Sequence, residues 1–194
     1  MHMLLLNNRL ENVSVMSLQS GGKLGTATTP IIDPRKLQIA AYYVSGPRIH
    51  ETSVLHSSDV REIGPLGFIV DSADSIMTLD EDLVRLQEII GFKFSLIGKH
   101  VVDDRKKKLG KVAEYSTESD GFFIQKLHVS QSVVKNLTSS HLVIHRSQII
   151  EVTNRQIIVR SATIPKTTGL TQVLNPFRKN HQALAPDATD RHPS

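Results

Sequence analysis

The chain repeats itself. Lys23-Leu24-Gly25-Thr26-Ala27, which follows the turn Ser20-Gly21-Gly22, returns 85 positions later as Lys108-Leu109-Gly110-Lys111-Val112, which follows the charged turn Asp103 to Lys107. Downstream, Leu55-His56-Ser57-Ser58-Asp59-Val60-Arg61-Glu62-Ile63 aligns with the stretch Ile144 to Val152, and Phe68-Ile69-Val70 with Ile157-Ile158-Val159, now 89 positions apart. An internal duplication with one connection of altered length accounts for both offsets. It divides 194 residues into two units of under about 80 each, and units that small bury so modest a core that the two are expected to lean on each other.

Each unit reads as short strands. In the first, Val13 to Leu18, a strand from Leu24, Leu37 to Val44, Thr52 to Leu55 and Gly67 to Val70 alternate or carry β-branched and aromatic residues, with glycine- or proline-containing turns between several of them. Pro30 is expected to confine the second of these to an outer position, since proline offers no N–H to a central ladder. The second unit follows with His100 to Val102, Lys111 to Tyr115, Phe122 to Val129, His141 to His145 and Gln156 to Val159. Five short strands in so small a unit point to a compact barrel. Between the units, Thr78-Leu79-Asp80-Glu81 has capping-box spacing and Leu79, Leu83, Leu86 and Ile90 share a face, which predicts an amphipathic helix stopped at Gly91.

The expected architecture is therefore all-β: two tandem, partly open β-barrels, residues 1–77 and 92–160, joined by a helix over 78–91. Residues 161–194 lose the periodicity, scatter four prolines among polar residues and are expected to be a disordered tail, with Leu170 to Leu174 its one stretch able to dock.

Composition removes several function classes. Without cysteine there is no disulfide, thiolate nucleophile or cysteine metal site. Met3-Leu4-Leu5-Leu6 is too short for a signal peptide's apolar region, so a cytoplasmic protein is expected. The net charge of +4 is uneven, −4 over residues 1–90 and +6 over 91–160, so the halves offer different surfaces to partners.

The segment Asp59-Val60-Arg61-Glu62-Ile63-Gly64-Pro65-Leu66-Gly67-Phe68-Ile69-Val70-Asp71, with the two Lys-Leu-Gly hairpin exits, resembles the PRC-barrel family. That family is named for the H subunit of photosynthetic reaction centres and is also found in the C-terminal domain of a bacterial ribosome maturation factor. The resemblance covers most of residues 13–160 as two copies. In the second, Gln148 replaces Asp59 and Asn154-Arg155 replaces the glycine-containing turn. The resemblance implies a small, partly open barrel that contacts proteins or RNA–protein assemblies, and no catalytic residues.

Four constellations carry candidate chemistry. His141 and His145 share a strand face, with His100 and His128 as further candidates, but no carboxylate joins them and structural roles are expected rather than a metal site. His56-Ser57-Ser58-Asp59 holds the residue types of a hydrolytic triad at a spacing that cannot assemble one, and Asp59 is expected to accept hydrogen bonds in a turn. Ser20-Gly21-Gly22-Lys23 lacks the length and following helix of a phosphate loop. Arg105, Lys106, Lys107, Lys108 and Lys111 form the most basic patch, with Tyr115, Phe122 and Phe123 nearby in sequence. It is either a solvated hairpin tip, its charge partly cancelled by Asp103 and Asp104, or a phosphate-contacting surface. Gly25 and Gly110 are expected to serve as structural turn residues. The function these features favour is that of a non-enzymatic adaptor binding a protein partner without a cofactor. The alternative is a small-subunit ribosome maturation factor contacting ribosomal protein and RNA through the basic second unit.

Overall fold

The computed structural model describes residues 3–79, 83–131 and 141–161. The expected tail from residue 162, including Leu170 to Leu174, and the acidic start of the helix at Asp80 to Asp82 lie outside the described residues.

The described chain is mostly β. Its strands are β1 (Leu4–Leu6), β2 (Val13–Ser17), β3 (Lys23–Asp33), β4 (Gln38–Ser45), β5 (Ser53–His56), β6 (Glu62–Gly64), β7 (Gly67–Val70) and β8 (Ile76–Thr78), followed by the helix α1 (Val84–Gly91). Six more follow: β9 (His100–Asp103), β10 (Lys108–Glu118), β11 (Ile124–Ser130), β12 (His141–His145), β13 (Ile149–Val152) and β14 (Gln156–Val159). One sheet runs β6-β7-β2-β3-β4-β5-β8 and the other β13-β14-β9-β10-β11-β12. Stripped of β8, the first order is the second order over again. In each, the first and last long strands of the half pair in parallel, β2 with β7 and β9 with β14, inside an otherwise antiparallel sheet. Neither sheet closes: among the described residues β6 and β8 are the ends of one, and β13 and β12 the ends of the other.

The duplication holds at single-residue register. Gly25 lies opposite Val15 and Gly110 opposite Val101, each beside a bulge. A side chain at Gly25 would meet the Ser45 carbonyl and Val44 at 2.9 Å. At Gly110, where φ is +144°, it would meet the Ser130 carbonyl at 2.2 Å and Val129 at 2.9 Å. The colliding neighbours are themselves 85 apart in sequence, so both Lys-Leu-Gly segments need glycine for the same close crossing of strands.

The halves meet in a reciprocal contact. Ile39 donates its N–H to the Phe122 carbonyl at 3.0 Å, and Ile124 donates to the Leu37 carbonyl at 2.9 Å. Gln38 and Phe123 face each other as an antiparallel bridge between them. The counterparts of each bonded pair are themselves bonded, Ile39 with Phe122 and Ile124 with Leu37, which is how a two-fold interface is built. Leu37 and Phe122 both adopt left-handed backbone, φ 45° and 56°, and both are buried. Phe122 stands edge-on to Tyr42 and Phe68 of the first half, with ring centroids at 6.1 and 6.0 Å. One hydrophobic cluster accordingly runs from Leu10 to Val159 through both halves, the mutual support that small units require.

Three details differ from the sequence expectations. β3 continues through Pro30 to Asp33, because a register shift between Ala27 and Pro30 lets the ladder skip the missing N–H. The helix begins at Val84: Thr78 is instead paired with Ser53 as the end of β8, and no side chain caps the start at Leu83. Its expected face is present: Leu86, with Ile89 beside it, is buried against Ile31, Ala41 and Val54 of the first sheet and Leu79, Leu83 and Ile90 pack partly buried around them, while Val84 is exposed. Finally Leu4–Leu6, expected with the first unit, pair with Ser116–Glu118 of β10, so the N-terminal strand belongs to the second sheet.

Candidate functional site

The basic hairpin is built on Asp103. This buried carboxylate closes β9 and accepts the N–H groups of Arg105 and Lys107 at 3.0 and 2.7 Å, which folds the turn back into β10. Lys106 sits left-handed at φ 65°, where the matching turn has Gly21 at 66°. Asp104 is bonded to Ser161 by that residue's N–H and hydroxyl. Both acids thus face protein donors. Arg105, Lys106, Lys107, Lys108 and Lys111 are exposed, and none of the five makes an ion pair among the described residues. Exposed His100 lies directly opposite Lys111 on the same edge. The array has the chemistry to neutralise phosphates. It lacks the aromatic platform that the sequence placed nearby: Tyr115 and Phe122 are core residues, and Phe123 lies under the guanidinium of Arg146, 5.2 Å from its ring centroid. Lys99, another cation of this half, is turned inward. Its ammonium donates to the Asn154 carbonyl at 2.8 Å and lies over the Phe94 ring, and partial burial lowers its pKa.

Of the histidines, His128 shares a 2.8 Å hydrogen bond with the Ser116 hydroxyl, and the ring of His145 is bonded to Ser147. Among the described residues no three His, Asp or Glu side chains gather as a metal would require. In the His56–Asp59 segment, residues Ser57–Asp59 form a 3-10 turn, and Asp59 accepts from the Ser58 hydroxyl at 3.4 Å rather than from backbone. The acid that organises the following hairpin is Asp71. It takes a forked pair from Arg61 at 3.0 and 2.7 Å, and that bond holds its carboxyl below the ordinary range.

Sequence reasoning missed the junction between the halves. Arg146 opens the 3-10 turn Arg146–Gln148 and reaches across to the first half, donating to the carbonyls of Leu37 and Lys36 at 2.9 and 2.6 Å and to Ile124 at 3.3 Å. On the other side of the junction a cleft of about 450 Å³ opens between β4, the Ser57 turn, α1 and the turn Asp120–Phe122. Neither has a local motif, because each arises from residues some 70 to 110 positions apart. The Arg35–Asp33 pair, Asp33 being buried, fixes one wall, and Arg35 also bonds Glu88 of α1 at 2.8 Å.

No helix among the described residues is long and apolar enough to cross a membrane. Set against known proteins, the chain matches no family model and no curated sequence.

Proposed function

We propose that this chain is a non-enzymatic adaptor of the PRC-barrel type, cytoplasmic, with each sheet serving as one small open barrel whose outer edge receives a protein partner. The observation that supports the reading most directly is the state of the edges. β6 and β13 occupy equivalent ends of the two sheets and have exposed apolar residues on or next to them: Ile150, 52% exposed, sits at the bulge of β13, and Leu66, 67% exposed, in the turn after β6. An edge strand offers a row of backbone donors and acceptors to an incoming segment, and flanking apolar side chains supply its anchors. The bulge limits such pairing to partners that fit around it.

Affinity capture with the full chain tests the reading. A stoichiometric partner is expected that Ile150→Lys or Leu66→Lys releases while leaving the circular dichroism spectrum unchanged. A chain that captures nothing, or a partner indifferent to both substitutions, defeats it.

The exposed cations Arg105 to Lys108 with Lys111, without ion pairs among the described residues, favour a second reading, a ribosome small-subunit maturation factor contacting ribosomal RNA and protein through the second half. Co-sedimentation with small ribosomal subunits that falls steeply with salt is then expected. Migration clear of ribosomes at low salt excludes it.

A further inference from the structure

The duplication lets one half be used as a template for the other. In the second half, Arg146 supplies a guanidinium to three carbonyls, those of Lys36, Leu37 and Ile124, above the ring of Phe123. The residue that opens the matching 3-10 turn of the first half is Ser57, after a strand residue, His56, paired with Ala41 just as His145 is paired with Lys126. Carried across the junction, the three carbonyls become those of Gly121, Phe122 and Ile39, and the ring of Phe123 becomes the side chain of Gln38. Ser57, Gln38, Ile39, Gly121 and Phe122 all line the cleft of about 450 Å³. The first half therefore keeps the cradle and has a side chain of two heavy atoms where its twin has an arginine. The Ser57 hydroxyl, buried and without a partner, does not reach across it.

The acceptors have capacity left. The Phe122 carbonyl takes one bond from Ile39, as the Leu37 carbonyl takes one from Ile124 and still accepts Arg146. Gly121 accepts the Gln38 side-chain amide at 2.8 Å. Charge has changed in the same sense: the position that is Arg35 beside Arg146 is Asp120 beside the cleft. Asp33 is engaged by Arg35, and Lys36 and Arg85 are exposed cations of the cleft wall that oppose a further positive charge.

We propose that this cleft receives an arginine side chain presented by a protein partner. The inference rests on the adaptor reading and names what the partner brings. Carbonyl oxygens in a fixed array suit the planar, multiply donating guanidinium and repel an anion, and a lysine ammonium cannot span them in one plane.

The test is a titration of the full-length chain with N-acetyl-arginine amide, followed by amide chemical shifts, with the lysine and citrulline analogues and inorganic phosphate as controls. Saturable shifts centred on Ile39, Ser57, Gly121 and Phe122 are expected from the arginine probe alone, at concentrations on the order of millimolar for so small a ligand. Ser57→Arg is expected to fill the cradle from within, abolishing the shifts with no loss of melting temperature. Asp120→Lys, at an exposed position, is expected to weaken the probe at least about threefold without disturbing the fold. Equal shifts from citrulline, lysine or phosphate, or shifts that persist in Ser57→Arg, overturn the proposal. So do shifts that appear only when Lys36 and Arg85 are both changed to Ser, since an internal cation then holds the site. A captured partner that binds wild type and Ser57→Arg equally leaves the adaptor standing and removes the arginine site. Arginine-specific shifts with no captured partner do the reverse.

Discussion

Lys106 takes the left-handed backbone that Gly21 takes in the matching turn, a conformation costing a side-chain-bearing residue about 1 kcal/mol. Lys106→Gly is accordingly expected to raise stability by about 0.5–1 kcal/mol in urea unfolding. If the hairpin contacts phosphates, the same substitution lowers the slope of log affinity against log salt by about one. Tyr42 supplies the opposite case. It is fully buried, its hydroxyl lacks a partner, and burial pushes its pKa well above the ordinary 10.0. A raised folded-state value means that Tyr42 contributes stability below pH 10 that is lost as pH climbs from the unfolded value toward the folded one, because the unfolded chain ionises first. Tyr42→Phe is expected to be neutral or to stabilise by about 1 kcal/mol at pH 7. Its advantage grows above pH 10, by up to about 1.4 kcal/mol per pH unit, measured by urea midpoints across an alkaline series. Gly25, Gly110 and the five cations stood out in the sequence because glycine and charge declare themselves locally, although the two glycines, expected as turn residues, lie inside β3 and β10 at a close approach of strands. The left-handed Lys106 was not, since a lysine carries no signature of backbone strain.

At the level of elements, the period-2 pattern located the five expected strands of each unit to within a few residues, left out the short strands β6, β8 and β13, and failed where a long-range partner decides. β1 is three leucines, too few to be read as a strand, and is one because β10 offers it an edge. Its junction is held by Asn7, whose side-chain oxygen accepts the N–H of buried Tyr115 at 3.2 Å, while Ser119 donates to the Met3 carbonyl at 2.9 Å. Asn7→Ala strands that buried N–H and is expected to cost about 1–2 kcal/mol, with faster amide exchange at Tyr115. Removing residues 1–6 should extend the faster exchange to Ser119. Exchange unchanged at both sites would show that β1 does not support the second sheet. The helix shows the same lesson in reverse. The spacing of its leucines was correct as amphipathic order, but Thr78 had a stronger use as the end of β8 than as a cap, and a strand bond outweighed a local propensity.

For the whole molecule, the repeat was legible because two copies of a sequence can be laid side by side, and the matched sheet orders follow from it. The junction was not legible, since nothing in either copy marks Leu37 and Phe122 as the residues that exchange. Phe122 now ties the halves together, sharing an aromatic cluster with Tyr42 and Phe68. Phe122→Ala should cost about 3–5 kcal/mol and accelerate amide exchange in β2 and β4 as well as in β11. A loss confined to residues 92–161 would mean that the halves unfold independently.

The bridge between Gln38 and Phe123 has a consequence for how such a molecule diversifies. Two identical chains meeting about an axis must carry the same residue on both flanks, so a change that helps one side is imposed on the other. Joining the copies into one polypeptide lifts that obligation, and here one flank keeps its own plug while its mirror position is left open to a guest.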